Sequence, residues 1–463
     1  MSDHLDGSGR RMRERVASST TLRLLVIGVL VLLMLIPLSM VESIVAERQL
    51  TYADVLAEIS AHWGSEQVLT GPILVVPFTE RHQVSETRQD QTGKTYVVNS
   101  VVQETYRAAL LPGTVSLDGE IRPEYRRRGI YQSLVYTQDV RLSGSFSAVE
   151  EQLRSLSSPD KLHAIHWEKA FLAVGLSDPR GIARAAPLVF SEQQVALAPG
   201  TGVPELLPNG FQAPVGVTAT GRASFDIELQ LKGSYGFRLA PLGELTEMRI
   251  TSPWAHPSFY GDVLPRERQI NDRGFEASWS IPHLVRSYPQ RWVLERSDYA
   301  PSSFSAGVRL FEPVTLYTEA TRAVKYGFIF IALTFLVLVL MEIAAGVRPS
   351  MVQYAMIGVA LSMFFLLLIA LSEHLGFNLA YLLAAASVIV LNGSYSAAVL
   401  GRGRLAAVVA AVLGALYTVL FTVLRTEDYA LLAGSILLFF ALAVTMYFTR
   451  HLHRLGDPPR RSG

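Results

Sequence analysis

Hydrophobic and polar residues are segregated along this chain rather than mixed. The first uncharged apolar run is Leu24 to Val41; as a helix rising about 1.5 Å per residue it covers roughly 27 Å, enough for one bilayer crossing. From Val45 to about Lys325 no comparable run occurs, and Asp, Glu, Arg, Pro and Gly recur throughout. Five runs of spanning length then follow: Tyr326 to Ala345, Tyr354 to Leu371, Leu379 to Leu400, Leu405 to Leu424 and Ala430 to Phe448. The pattern predicts six transmembrane helices, one N-terminal and five clustered at the C-terminal end, with a large soluble segment between them.

Inside the soluble segment the pattern favours strands. Gly71–Phe78, Thr95–Val98, Gly129–Tyr136 and Ala223–Leu231 combine β-branched and aromatic residues with alternation of period two. Turn signals separate them at Pro112-Gly113, Asp118-Gly119, Pro199-Gly200-Thr201-Gly202 and Asn209-Gly210. This spacing predicts β-sandwich layers, one large or two adjoining, rather than a βαβ fold. Only Leu50–Trp63 reads as an amphipathic helix, with a second, short helix at Val149–Leu156. The expected fold class is therefore an α+β membrane protein. Its parts are a basic N-terminus (1–23), a first span (24–41), a β-rich domain (42–325), a five-helix bundle (326–448) and a tail (449–463).

Charge orients these parts. Arg10, Arg11, Arg13, Arg15 and Arg23 precede the first run, which is longer than a typical signal-peptide core of about 7–15 residues and lacks a clean small-x-small cleavage site, so it reads as an uncleaved anchor. With that basic N-terminus in the cytoplasm, alternation places Arg348, Arg402, Arg404 and the Arg450, Arg454, Arg460 and Arg461 tail inside, and only Ser372–Asn378 and Arg425–Tyr429 outside. Both termini are then cytoplasmic and residues 42–325 lie across the membrane, periplasmic in a bacterium. Composition narrows the function. Half the chain is hydrophobic and 17% charged, against about 25% charged in an ordinary globular domain, which excludes a disordered protein. The 41 Lys and Arg nearly balance 40 Asp and Glu, so no global basic field draws in nucleic acid. The absence of cysteine excludes disulfides, a thiolate nucleophile and any Cys-ligated metal.

Candidate chemistry is sparse. Thr92-Gly93-Lys94-Thr95 resembles the end of a phosphate-binding loop, but Arg88 stands where the first glycine is needed, and a hairpin turn explains it. His163 and His166 have a helical metal spacing, yet on a strand they face opposite sides; no metal site is expected. The densest constellation runs from Trp254 to Pro265 and holds Trp254, His256, Ser258, Phe259 and Asp262. These residues suit a carbohydrate- or peptide-binding face, or an aromatic loop packed over a sheet edge. Asp178 and Arg180 flank a turn, either as a binding pair or as a structural hydrogen-bond pair. In the membrane region Glu342 falls where snorkelling explains it. Glu373 and His374 sit at the outer interface, and Asn392, at mid-span, suits an interhelical hydrogen bond.

Thr321-Arg322-Ala323-Val324-Lys325-Tyr326, Met351-Val352-Gln353-Tyr354, Leu371–Phe377 and Trp254–Phe259 with Gly261-Asp262 resemble the CreD family of inner-membrane proteins. So does the order of one span, a large soluble segment and five spans. The resemblance covers about Leu24 to Arg450 and implies a bacterial inner-membrane protein associated with cell-envelope integrity, whose expression in some bacteria is linked to a two-component sensor and regulator. It carries over no catalytic residue and no cofactor. The expected function is non-catalytic binding of an envelope protein, glycan or lipid through the periplasmic domain, with the bilayer as constant partner. The alternatives are a transporter or lipid-handling protein using the bundle, and a periplasmic carbohydrate-active enzyme using the sandwich. A reporter fused after Gly200 is expected to be active only as a periplasmic fusion; activity only in the cytoplasm overturns the orientation.

Overall fold

The computed structural model describes residues 20–89, 95–217, 222–312, 316–345, 350–400, 403–425 and 430–449. The chain divides into two units, one formed by Met1–Ala53 with Val314–Gly463 and the other by Asp54–Pro313. Helices α1 (Thr20–Leu33) and α2 (Leu35–Trp63) open the described chain, and α3 (Val149–Arg154) lies within the β-rich unit. Helices α4 (Leu316–Ala345), α5 (Met351–Leu375), α6 (Phe377–Leu400), α7 (Gly403–Arg425) and α8 (Ala430–Thr449) close it.

Leu25–Trp63, Leu316–Leu340, Met351–Leu375, Phe377–Ala398 and Ala406–Arg425 are long and apolar enough to cross a membrane, and Gly434–Tyr447 within α8 is a shorter apolar stretch. The break between α1 and α2 has a local cause. Pro37 has no N–H to give the carbonyl of Leu33, four residues back, where α1 ends. Beyond Pro37, α2 runs without interruption to Trp63. The separate amphipathic helix expected at Leu50–Trp63 is therefore the continuation of the first span, because no Gly or Pro stands between Val41 and Leu50 to stop it. Met34, Leu38, Val41 and Val45 recur at helical spacing and are buried against Phe335, Tyr354, Phe364 and Phe365. Gly358 permits this approach, since a Cβ there would lie 2.6 Å from Met34 Sδ.

The β-rich unit holds nineteen described strands. In chain order they are β1 (Gln67–Gln89), β2 (Thr95–Leu110), β3 (Thr114–Arg128), β4 (Tyr131–Phe146), β5 (Leu162–Ile165), β6 (Phe171–Leu176), β7 (Ile182–Ala185), β8 (Leu188–Phe190), β9 (Gln193–Val195) and β10 (Ala198–Pro199). There follow β11 (Gly210–Pro214), β12 (Ala223–Ser234), β13 (Gly236–Ala240), β14 (Leu245–Ser252), β15 (Pro257–Gly261), β16 (Glu267–Asn271), β17 (Gly274–Pro282), β18 (Arg291–Val293) and β19 (Ala306–Leu310). They form a ten-stranded sheet, ordered β10-β11-β6-β1-β13-β19-β15 with β2, β5 and β18 attached, and a nine-stranded sheet, ordered β16-β17-β14-β3-β4-β12-β8-β9 with β7 beside β12. Leu74, Val76 and Phe78 from the first sheet share one core with Leu117, Tyr136, Leu142, Phe225 and Ile227 from the second, so the unit is a sandwich. The outer side of the first sheet is also covered, by Val203, Leu207, Tyr288 and Trp292 packing on Ile73 and Val75. This explains the uninterrupted apolar run in β1, which is buried on both faces.

The sheets are mixed: β1 pairs parallel with β13, and β3 with β14. For β3 and β14, the chain enters the second sheet from the first at adjacent points, Pro112-Gly113 and Pro241–Glu244. The strands lie side by side there because Glu244 N–H donates to Pro112 O (3.1 Å) and Leu245 N–H to Gly113 O (3.1 Å). Buried Arg286 fastens them, donating to Leu242 O at 2.7 Å and to Gln290, whose Nε2 donates to Pro112 O at 2.6 Å. The Asp118-Gly119 turn expected from sequence is instead the middle of β3. Glycine stands there because Gln138 is pressed against it; a Cβ would lie 2.6 Å from Gln138 Nε2.

Asp178 fixes the entry of the chain into β1. Its Oδ2 accepts Ser65 N–H and Oγ–H (both 3.0 Å), and Arg180 donates its main-chain N–H (3.2 Å) and Nε–H (2.8 Å) to Oδ1 and Nη2–H (3.0 Å) to Oδ2. The Arg180 hydrogen bonds outweigh burial, and with those of Ser65 hold the carboxyl down to about 2. A carboxyl depressed on folding contributes stability above its unfolded value, and the contribution disappears as pH falls from about 4 toward 2. Asp178→Asn is expected to destabilise the protein by about 2 kcal/mol at neutral pH. Thermal unfolding of the detergent-solubilised protein at pH 7 and pH 3 checks this, with the gap between variant and parent narrowing at pH 3.

Candidate functional site

Strands β3, β4, β12, β14 and β17 bury alternate residues in the sandwich and turn the others to solvent. Their register aligns the outward residues into rows. One row reads Glu276, Thr251, Glu120, Asp139, Gln230 and Arg184, and the next Ser278, Arg249, Asp118, Arg141 and Glu228. A cleft of about 530 Å³ lies over these rows, lined by Asp118, Glu120, Asp139, Arg141, Arg184, Glu228 and Arg249. A second concavity of about 360 Å³ shares Asp118 and Arg249 and extends over Ser116, Glu247, Arg266, Ser278 and Ser280.

Cross-strand pairs order the charges. Arg249 Nε donates to Glu276 Oε1 at 2.8 Å, and Arg141 Nη2 to Asp226 Oδ2 at 2.6 Å. Arg122 binds Asp139, which also accepts Gln230 Nε2–H at 2.8 Å. Burial would raise the Asp139 carboxyl, but these hydrogen bonds prevail and hold it below the ordinary carboxylate range. The charges of Arg141 and Arg249 both reach Asp118. The cleft thus presents ionised groups of both signs, fixed on strands rather than loops. That arrangement favours charge-assisted hydrogen bonding to a polar ligand.

The Trp254 constellation lies elsewhere; its Trp254 and Phe259 rings pack against neighbouring side chains, while His256, Ser258 and Asp262 are exposed. Trp254 Nε1–H donates to His256 O and Phe311 O (both 3.1 Å), and its ring meets Tyr125 and His256 edge-on at 6.4 and 6.3 Å. Phe259 packs against Phe275 and Trp279 at 5.7 and 5.9 Å. Asp262 Oδ2 accepts Ser305 N–H at 2.8 Å, and Ser258 lies opposite Arg309 in the ladder with β19. These residues close β15 onto β19. Asp178 and Arg180 form the entry node described above. His163 faces Arg81 (2.9 Å) and His166 faces Thr79 (2.9 Å). No group of three His, Asp or Glu side chains is placed to hold a metal among the described residues. Of the Thr92-Gly93-Lys94-Thr95 motif, residues 92–94 lie outside the described residues, while the flanking strands pair as far as Gln89 opposite Thr95.

In the membrane unit, Glu373 accepts Tyr317 O–H at 3.2 Å and lies 3.7 Å from Arg48 Nε, joining α2, α4 and α5. His374 is exposed in the last turn of α5. Asn392 is buried and donates to Val388 O of its own helix at 3.0 Å, with no bond to a neighbouring helix among the described residues. Glu342 accepts Tyr354 O–H at 2.7 Å, a partner that snorkelling alone does not supply.

The cleft residues were absent from the sequence-derived candidates. Their signal is the period-two spacing of Asp118, Glu120 and Arg122, of Asp139 and Arg141, and of Glu247 and Arg249, which marks a solvent face without revealing which strands adjoin.

Comparison with known proteins agrees with the architecture. Residues 19–454 match the family described as inner membrane protein CreD. The chain is 32% identical over 425 residues to the inner membrane protein CreD of Escherichia coli (strain K12), covering 91% of each chain. With its apolar helices and its mixed-sheet unit, the chain belongs to the CreD family of multi-pass inner membrane proteins.

Proposed function

We propose that this protein supports the integrity of the cell envelope by binding an envelope protein, glycan or lipid on the solvent face of its nine-stranded sheet, without catalysis. In this reading the β-rich unit is periplasmic and both termini are cytoplasmic, as the arginine asymmetry of the short loops favours. Spans on either side of the β-rich unit in the chain keep its search for partners near the membrane.

The observation that carries the reading is the charged cleft over β3, β4, β7, β12 and β14. Its polar groups converge from five strands, whereas at the Trp254 constellation the aromatic rings that would form a binding face are engaged by neighbouring side chains. The state of Asp139 argues against its serving as a general acid. A general acid at neutral pH needs a raised carboxyl, and this one is lowered by Arg122 and Gln230 against the effect of burial. In the membrane unit, the engagement of Glu373 by Tyr317 and Arg48 suits a helix staple at the interface better than a mid-membrane relay.

Reversing charge in the cleft tests the proposal. Arg141→Glu with Arg249→Glu is expected to abolish complementation of an envelope-defective deletion strain while leaving membrane abundance unchanged. A photocrosslinking residue at Thr251 is expected to recover a specific envelope component, with recovery falling at least about tenfold in the double variant. Normal complementation by the double variant, or no recovery above background at Thr251, overturns it.

A further inference from the structure

The β1–β2 hairpin outruns the sheet that holds it. β1 and β2 pair continuously from Leu74 opposite Leu110 to Gln89 opposite Thr95. Among the described residues, the outer edge of β2 is paired by β18 only at Ala108–Leu110. From Thr95 to Gln103 that edge carries no charged residue and reads Thr-Tyr-Val-Val-Asn-Ser-Val-Val-Gln. Val97 and Val101 are 62% and 60% exposed. Edge strands of soluble proteins are ordinarily protected by charge, proline or a covering element, so an uncharged, valine-rich edge of this length calls for a partner.

The direction of the main-chain groups is fixed. Arg107 N–H donates outward to Glu295 Oε2 (2.9 Å) and Leu111 N–H outward to Gln290 O (3.0 Å). Alternate residues of an antiparallel strand present both main-chain groups to the same edge. Thr95, Val97, Asn99, Val101 and Gln103 therefore point theirs away from β1. A two-fold axis through Asn99 sets Asn99 against itself, Val97 against Val101 in both directions, and Thr95 against Gln103. Every outward group then meets another, giving roughly ten main-chain hydrogen bonds. The two most exposed valines of this edge, Val97 and Val101, face each other on one side of the ribbon, the cross-strand contact that stabilises antiparallel pairs. Moving the axis to Ser100 retains the hydrogen bonds but sets Val97 against Gln103 and Asn99 against Val101.

We infer that β2 pairs antiparallel with β2 of a second copy of this chain, about a two-fold axis at Asn99. The edge is self-complementary in main-chain direction and in side-chain pairing, which is the requirement of an isologous contact.

The chain has no cysteine, so an introduced one is unique. Hydrogen-bonded residues across an antiparallel pair have Cα atoms about 5.5 Å apart, within the disulfide range of about 4.4–6.8 Å. In native membranes treated with a copper oxidant, Asn99→Cys is expected to give a covalent dimer. Gln83→Cys, on β1 opposite Val101, is expected to give none. In the Asn99→Cys background, V97K/V101K places like charges in both valine pairs and should remove the dimer. V97K/V101E places opposite charges there and should restore it. No dimer from Asn99→Cys, an adduct of another mass in its place, or equal crosslinking from Gln83→Cys overturns the inference. So does a dimer that survives V97K/V101K or fails to return in V97K/V101E.

Discussion

Two main-chain hydrogen bonds, from Glu244 to Pro112 and from Leu245 to Gly113, start the parallel pairing of β14 with β3. On the outer face of the nine-stranded sheet, they set the register of β14, and of β17 beyond it, against β3 and β4. A slip of one residue would turn Arg249 inward and Met248, now buried, to solvent. The cost of that exchange holds Arg249 beside Asp118, and hence Asp118 between two guanidinium groups. Arg286 secures the crossovers from the loop side. A charged side chain buried at that point is tolerable because its two terminal nitrogens donate to the Leu242 carbonyl and Gln290, leaving Nε alone without a partner among the described residues.

Much of the architecture was legible in the sequence because it is written in local pattern. Apolar runs of spanning length became helices, and period-two runs such as Ala223–Leu231 became strands. Local pattern failed where a distant residue decided the outcome. Asp118-Gly119 has the composition of a turn, yet the glycine accommodates Gln138 from the neighbouring strand. The segment Leu50–Trp63 has its own amphipathic period, but nothing before it stops the helix of the first span.

The candidate site was less legible for the same reason. Trp254, His256, Phe259 and Asp262 are close in sequence and drew attention as a group. Their roles are set by Phe311, Trp279 and Ser305, which sequence does not place beside them. The cleft is the reverse case. Its residues come from five strands distributed between Asp118 and Thr251, and no short segment contains enough of them to stand out. In the membrane unit, sequence identified Glu373 and Asn392 as unusual, while only the fold shows that one joins three helices and the other bonds within its own.

The alternation of sign across the charged rows also sets the range at which that face acts. Asp118 between Arg141 and Arg249, and Asp139 beside Arg122, form a pattern in which neighbouring fields largely cancel. Such a multipole decays faster with distance than a single charge, and at physiological ionic strength screening already takes hold within about 8 Å. A surface of this kind exerts little pull on molecules passing at a distance, yet discriminates strongly at contact, where each charge must meet its complement. Under the proposed function, selectivity at this face would therefore be exercised after collision, in how long a molecule stays rather than in how often it arrives.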